Sequence, residues 1–407
     1  MKQQTQTPEA ETENSTKTKI IAYSNEVMLF EVGSLCEHLS RLTDGRKARG
    51  KRYSLVTILT VMMMGKLCGQ DTPEAIADWA KQRVEGLAAL LGLKRVQMPH
   101  ATTYGRVLRK AIKPEQFEEE VHAYFKDQPQ VKASRQICID GKQICGTQLE
   151  EGEGNVYLLG AYVPGAGVML MQIELAAGEG ELSVAPKLLK VLDLQAKLVT
   201  GDAAFTQRNL SIQIVKAGGE YVWKVKINQP TLHADIERLF EPPPQPAPGF
   251  NTPKTDFLSS TETICGHSRI ETRTLTTSSL LKPYSDWPHL EQVFKQTCVT
   301  VNKKTGKSTQ TSTYAVTSLR ADEASPKMLL QVLRGHWGIE GGSHQRRDVT
   351  FHEDHCDLRR GHTAHIFAIL NNLAIGLMTR SGFKNAAFAR RVFAADPIRA
   401  FKLLISP

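Results

Sequence analysis

QICIDGK (136–142), NVYLLGAYV (155–163), GVMLMQIEL (167–175), SVAPKLLKVLDL (183–194), AKLVTGD (196–202), TQRNLSIQIVKAGG (206–219) and YVWKVK (221–226) follow one another in a single run of the chain. The first three are short β-type runs, and Pro164-Gly165-Ala166-Gly167 between the second and third is a strong hairpin signal. The order therefore reads β-ββ-α-β-α-β. Three sequential strands meander antiparallel, and a helical crossover then lays AKLVTGD parallel to the sheet. Its place is beside QICIDGK, at the free edge of the first hairpin. Asp140 and Asp202 then become neighbours near strand ends. An Asp-Gly pair at a strand end is ordinarily a turn, so each aspartate by itself says little.

Working toward the N-terminus, Tyr53 to about Phe125 predicts an all-helical segment. An apolar helix over Ser54–Leu67 leads it, and Asp71-Thr72-Pro73-Glu74 starts AIADWAKQRVEGLAALLGL. Ahead of it, RLTDGRKARGKR (41–52) is strongly basic. As an isolated cluster this is an ordinary solvated loop. The net charge of +9 across 407 residues favours a phosphate-contacting patch made of Arg46, Lys47, Arg49, Lys51 and Arg52. Met1–Lys19 is polar, rich in Gln, Thr, Glu and Lys, and predicts a disordered tail with no secretory signal.

Toward the C-terminus, Phe240–Phe250 is a Pro-rich connector. Thr-rich β-type runs follow, with a hairpin turn at Lys304-Thr305-Gly306, so residues 240–324 predict a β-rich insertion. Ser325 and Pro326 then open a helix as cap and first residue. Leu329, Leu333 and Trp337 recur along it at helical spacing, and Glu340 falls on that apolar face, with His344 and Arg347 further along. A carboxylate aimed into a core needs a cation, a hydrogen bond or a metal. After another apolar helix, residues 381–407 predict a basic tail. The expected units are thus 1–19, a helical 20–130, an α/β 131–380 and the tail.

The basic composition, with a pI near 9.1, points to a polyanionic partner, nucleic acid before membrane. The seven cysteines are scattered and form no CxxC pair, which predicts free thiols in a reducing cytoplasm. No apolar run reaches membrane-spanning length. Asp140, Asp202 and Glu340 together are more informative than any of them singly. Three converging carboxylates call for hard cations, Mg²⁺ or Mn²⁺, and two such ions suit in-line displacement at a phosphodiester. His352, His355, Cys356, His362 and His365 form a rival metal-like set, weakened because HEDHC stops short of HExxH.

At these residues the chain resembles a known family. ICIDGK, LVTGDAAFTQ, YVWKVKINQP, GHSRIETR and HWGIE with the downstream His and DVTF.ED look like motifs of the ISAs-one insertion-sequence transposases, a DDE group with a ribonuclease H-like catalytic domain. The resemblance runs in order from about Leu35 to Met378, with LCGQDTPEAIADWAKQR and PHATTYGRVL matching the family's helical N-terminal domain. It implies a fold of ribonuclease H-like mixed sheet and flanking helices. It also implies Asp140, Asp202 and Glu340 as the catalytic and metal-binding triad, with two Mg²⁺ (or Mn²⁺) ions per site. Element ends would be cleaved and the freed 3′-hydroxyl joined to target DNA by a homo-oligomer. The same resemblance puts Lys142, Lys226, Asn228, Gln229, Arg346 and Arg347 among the expected DNA contacts, beside the basic patch. The chain departs from the family at Cys145, Gly341, Ser343 and Gln345, and Gly341-Gly342 weakens helix propensity by about 2 kcal/mol relative to Ala. A catalytically impaired DNA-binding protein and a metal-dependent nuclease are the alternative readings.

Overall fold

The computed structural model describes residues 18–23, 26–47, 49, 51–147, 154–242, 255–266, 268–355 and 362–407. Residues 1–17 of the expected tail 1–19, most of the Pro-rich connector, His267 and Cys356 lie outside the described residues, while Thr18 and Lys19 belong to a strand that runs into the unit expected to be helical. A two-stranded hairpin, β1 (Thr18–Tyr23) and β2 (Glu26–Glu31), comes first. Seven helices follow: α1 (Leu35–Ser40), α2 (Leu55–Leu67), α3 (Pro73–Lys81), α4 (Val84–Leu90), α5 (Ala101–Lys110), α6 (Pro114–Lys126) and α7 (Pro129–Ala133). Starts are written into the sequence. The Ser54 hydroxyl accepts from the Thr57 amide at 3.1 Å, and Thr72 accepts from Ala75 at 3.1 Å ahead of Pro73. Every residue of α2 is buried, which explains why its composition is apolar all round rather than on one stripe.

The α/β part runs β3 (Gln136–Gln143), β4 (Tyr157–Val163), β5 (Val168–Glu174), α8 (Glu181–Val191), β6 (Leu198–Gly201), α9 (Arg208–Lys216), β7 (Glu220–Val225) and α10 (Pro230–Leu239). It continues as β8 (Leu258–Gly266), β9 (Arg269–Ser278), β10 (Gln292–Asn302), β11 (Ser308–Thr317) and α11 (Pro326–His336). The chain closes with α12 (His362–Arg380), α13 (Ala386–Ala395) and α14 (Pro397–Ile405). All the later strands join one sheet in the order β5-β4-β3-β6-β7-β11-β10-β9-β8. Its first five strands have the ribonuclease H-like arrangement, with β3–β4–β5 antiparallel and β6 and β7 parallel to β3. The β-rich segment extends this same sheet, because β11 pairs with β7 antiparallel from Val222 to Val225.

Residues 381–407, expected as a tail, are instead two helices. Asn385 and Asp396 cap them, and Ala389, Phe393, Ala400, Phe401 and Leu404 are buried against the helical layer. Arg390 pairs with Asp71 at 2.6 Å. Apolar periodicity outweighs the basic residues, which ride the outer faces or are paired.

The helical layer and the sheet share one hydrophobic core. α6 and α12 lie on β5, and α2 packs on α12. A buried polar cluster crosses this junction. His365 on α12 sits 3.2 Å from Glu118 of α6 and 3.0 Å from Glu174 of β5. Burial opposes charge on this imidazole, yet the hydrogen bonds it donates to the two carboxylates hold its pKa up to about 9. A pKa above the unfolded value of about 6.5 means the cluster's contribution is fully present below that pH. It is lost as pH rises toward 9. Urea unfolding at several pH values should therefore show wild-type stability falling between pH 6.5 and 9, and His365→Gln should lack that fall.

Candidate active site

The parallel register sets the site. β3 and β6 pair Gln136 with Leu198 and Cys138 with Thr200, so the next outward-facing level holds Asp140 and Asp202. Asp140 lies within β3, just past its pairing with β6, and Asp202 immediately follows β6. This is the carboxyl end of parallel strands, where open α/β sheets leave a crevice. Asp202 accepts the Ala204 amide at 2.9 Å and so caps a short 3₁₀ turn. Asn228 and Gln229, expected at the DNA backbone, hold this turn: their side-chain amides donate to the carbonyls of Ala203 at 2.7 Å and Thr206 at 2.9 Å.

Glu340 comes from the far side. α11 lays Leu329 and Leu333 on the sheet, as the spacing predicts. Trp337 does not join them; it is 64% exposed. Residues spaced by four advance about 40° more than a full helical turn at each step, so Trp337 has rotated roughly 80° from Leu329. Its indole instead lines the cavity, with the Lys224 ammonium 4.9 Å from the ring centroid. Glu340 keeps the sheet-facing side, but there the apolar surface has given way to a cavity of about 700 Å³ lined also by Asp140 and Asp202.

Beyond α11 the helix continues as two π-type turns, Glu340–His344 and Arg346–Thr350. Such turns are rare and concentrate at functional sites. Gly342 has a packing reason: a Cβ there would lie 2.0 Å from the Tyr162 hydroxyl of β4. Gly342→Ala should lose about 1–3 kcal/mol by overpacking, despite better helix propensity, and Tyr162→Phe in the same chain should restore part of it. Denaturant midpoints check this.

His344 was legible only as a helical neighbour, yet it completes the group. Its Nδ1 lies 3.6 Å from Glu340 Oε2 and 3.8 Å from Asp140 Oδ2. One potential ligand atom from each of Asp140, Glu340 and His344 falls within 4.8 Å of the others, the one such group among the described residues. Burial, with Arg347 and Lys142 nearby, pushes the His344 pKa down to about 3, so it is a neutral imidazole with a lone pair to offer. Burial also pushes Asp140 up to about 7, reinforced by the charge of Glu340 and further by Glu181 and Asp202. A carboxyl whose ionisation is opposed by burial and by neighbouring acids, beside a neutral imidazole, belongs to a donor set that a divalent cation relieves. Among the described residues the rival histidine set forms no metal-like group: His365 is held by Glu118 and Glu174, while the His352 and His355 rings stand 6.3 Å apart and Cys356 lies outside the described residues.

The expected DNA contacts divide. Lys226 is exposed and lines the cavity. Lys142 is buried, with its ammonium 2.7 Å from Asp348. Arg347 is 0% exposed, clamped on Glu353 by Nε at 2.8–3.0 Å and by a terminal nitrogen at 2.6 Å. Burial removes both from any DNA surface, and a spacing argument cannot see it. Arg346 donates to the Thr379 hydroxyl and the Lys384 carbonyl. In the N-terminal patch, Arg46 binds Asp44 at 2.8 Å and Lys51 donates to the Asp44 carbonyl, which folds the loop. Arg46, Lys47, Arg49 and Arg52 face Lys81 and Arg106 across a second cavity of about 1130 Å³.

Comparison with known proteins gives a consistent family. The family model described as "Transposase DDE domain" matches residues 133–377, and the one described as "DDE_Tnp_1-associated" matches residues 36–125. YbfL of Escherichia coli K12 is 27% identical over 369 residues, covering 89% of this chain and 94% of that protein. The H repeat-associated YhhI of the same strain, whose name assigns it provisionally to the transposases, is 26% identical over 369 residues with the same coverage, 89% and 94%. Among solved structures, the piggyBac transposase in its synaptic complex with hairpin DNA aligns with a TM-score of 0.44 at 10% identity, over 90% of this chain and 78% of that one.

Proposed function

We propose that this chain, which belongs to the family of transposases with a DDE domain, cleaves the ends of an insertion sequence and transfers them to target DNA using Asp140, Asp202 and Glu340. One observation carries the reading: acids from two neighbouring strands and a distant helix line one cavity whose walls also present Lys224, Lys226 and Arg334. Acids in a cavity walled by cations suit a phosphodiester flanked by divalent metal. Asp140, Asp202 and Glu340 would hold two Mg²⁺ or Mn²⁺ ions, with His344 beside them. Such ions, when bound, make water a stronger nucleophile and stabilise the leaving oxygen. The protein's own part is placement. Asn228 and Gln229 fix the Asp202 turn. Lys226 neutralises the phosphates entering the cavity, Arg334 being paired with Glu262 at 2.5 Å, and the exposed Trp337 offers a flat face on which a base can stack.

The second, basic cavity supports a DNA-holding role for the N-terminal helices. Alanine at Lys47, Arg49 and Arg106 should lower the salt dependence of DNA binding by about one unit of slope for each phosphate that is no longer neutralised. Filter binding across a salt series reads it. Because two element ends must be joined together, the working form is a homo-oligomer on DNA. No described helix is long and apolar enough to cross a membrane. The proposed reaction would run where its DNA substrate lies, in the cytoplasm at the nucleoid.

The test is a duplex carrying the terminal inverted repeat, mixed with a target plasmid and Mg²⁺ or Mn²⁺. Strand-transfer products support the proposal. Cleavage without transfer would reduce the protein to a nuclease, and binding alone to a DNA-binding scaffold.

A further inference from the structure

We propose that Glu181 is a positioning residue of the reaction centre, a fourth carboxylate admitted by Gly141 and held by Tyr157, whose charge tightens the grip of Asp140 on its cation. The inference rests on the reading of Asp140 given above.

Gly141 first suggests a turn, but it lies inside β3, paired opposite Leu159, and needs no left-handed backbone. A glycine inside a strand weakens it and marks a place where something approaches the backbone closely. Here the approaching group is a carboxylate. A Cβ on Gly141 would lie 1.8 Å from Glu181 Oε1 and 2.5 Å from the Tyr157 ring. Any side chain at 141 would expel both. The Tyr157 phenol, from β4, donates to Glu181 Oε1 at 2.7 Å and fixes the carboxylate in the gap.

Glu181 opens α8, where an acid is ordinarily explained by the partial positive charge of a helix start. That explanation requires neither the missing side chain at 141 nor the phenol of β4. Glu181 lines a neighbouring cavity with Tyr157 rather than the one that holds Asp140, Asp202 and Glu340, but its carboxylate lies against the residue next to Asp140 and so adds repulsion to the metal-free fold. Repulsion of that kind is offset when a cation arrives, so the gain falls on cation binding rather than on stability. Groups that act on a metal through its ligands typically change affinity or activity by about 10–100-fold.

Glu181→Gln isolates the charge, since the amide keeps the length and can still accept from Tyr157. The expected results are Mn²⁺ binding about 10-fold weaker or more, followed by electron paramagnetic resonance on the full chain without DNA, and cleavage slower by about 10–100-fold, with the thermal melt not lowered. Tyr157→Phe should move both in the same direction by less, and Gly141→Ala should match Glu181→Gln by expelling the carboxylate. Mn²⁺ affinity and cleavage of Glu181→Gln both within about threefold of wild type would overturn the proposal. Asp140→Asn, assayed in parallel, separates the two readings. If it loses cleavage while Glu181→Gln keeps both cleavage and Mn²⁺ affinity, Glu181 is excluded and the function stands. If Asp140→Asn still cleaves, the functional reading fails, and the Mn²⁺ titration alone decides Glu181.

Discussion

Asp140→Asn is expected to abolish DNA cleavage, by a factor of about 10³ or more, while DNA binding stays close to wild type. Losing an essential metal-binding oxygen removes several kcal/mol of transition-state charge stabilisation, and about 4 kcal/mol already corresponds to that factor. The groups proposed to hold DNA, Lys226 in the wall of the same cavity and the separate N-terminal basic cavity, are left unchanged by the substitution. The same substitution should raise stability when divalent cation is absent. Burial, with Glu340 and then Glu181 and Asp202, lifts the Asp140 pKa to about 7 from an ordinary 3.8. A raised acid pKa means the ionised form is disfavoured in the fold, so stability declines as pH rises through the range from 3.8 to 7. Asparagine cannot ionise and should remove that decline. A higher melting temperature at pH 8 in chelator, together with lost cleavage, is the expected pair. Retained cleavage would take Asp140 out of the mechanism.

The largest stability effect is expected at Glu353. Its carboxylate sits between the fully buried Arg347 and Asn371, whose amide donates to Glu353 Oε1 at 2.8 Å and whose carbonyl accepts from the buried Lys66 at 2.6 Å. Lys66 Nζ is also 3.4 Å from the Phe367 ring centroid. This chain of polar groups connects α2 to the helical segment that carries Glu340. Glu353→Ala leaves Arg347 charged and unpaired in the interior and should cost about 3–5 kcal/mol. Replacing both partners with apolar residues of similar volume, as in Arg347→Met with Glu353→Leu, should be far milder, because no uncompensated charge remains. Urea unfolding of the single and double variants gives the coupling directly. If the double variant is as unstable as Glu353→Ala, the pair is not the source of the effect.

Much of this molecule was legible in residue order. The β-ββ-α-β-α-β succession and the right-handed crossover rule place AKLVTGD beside QICIDGK, and the parallel pairing of Cys138 with Thr200 is that placement. Asp140 and Asp202 follow from it, since register is a local property of strands with one pattern of alternation. Glu340 was legible as an acid on a sheet-facing stripe. Less was legible where burial decides. Arg347 and Lys142 are basic by type, and only their buried pairing with Glu353 and Asp348 gives them a structural part that spacing does not show.

Sequence alone thus determined the order of the α/β elements and the place of AKLVTGD beside QICIDGK, which makes Asp140 and Asp202 neighbours, because hydrophobic period and chain connectivity are written along the chain. Tertiary structure alone decided what surrounds them. The apposition of Gly141 with Glu181, of Gly342 with Tyr162, and of His344 with Asp140 each joins residues from different elements. Such contacts depend on how finished elements pack, and no spacing within one element encodes them.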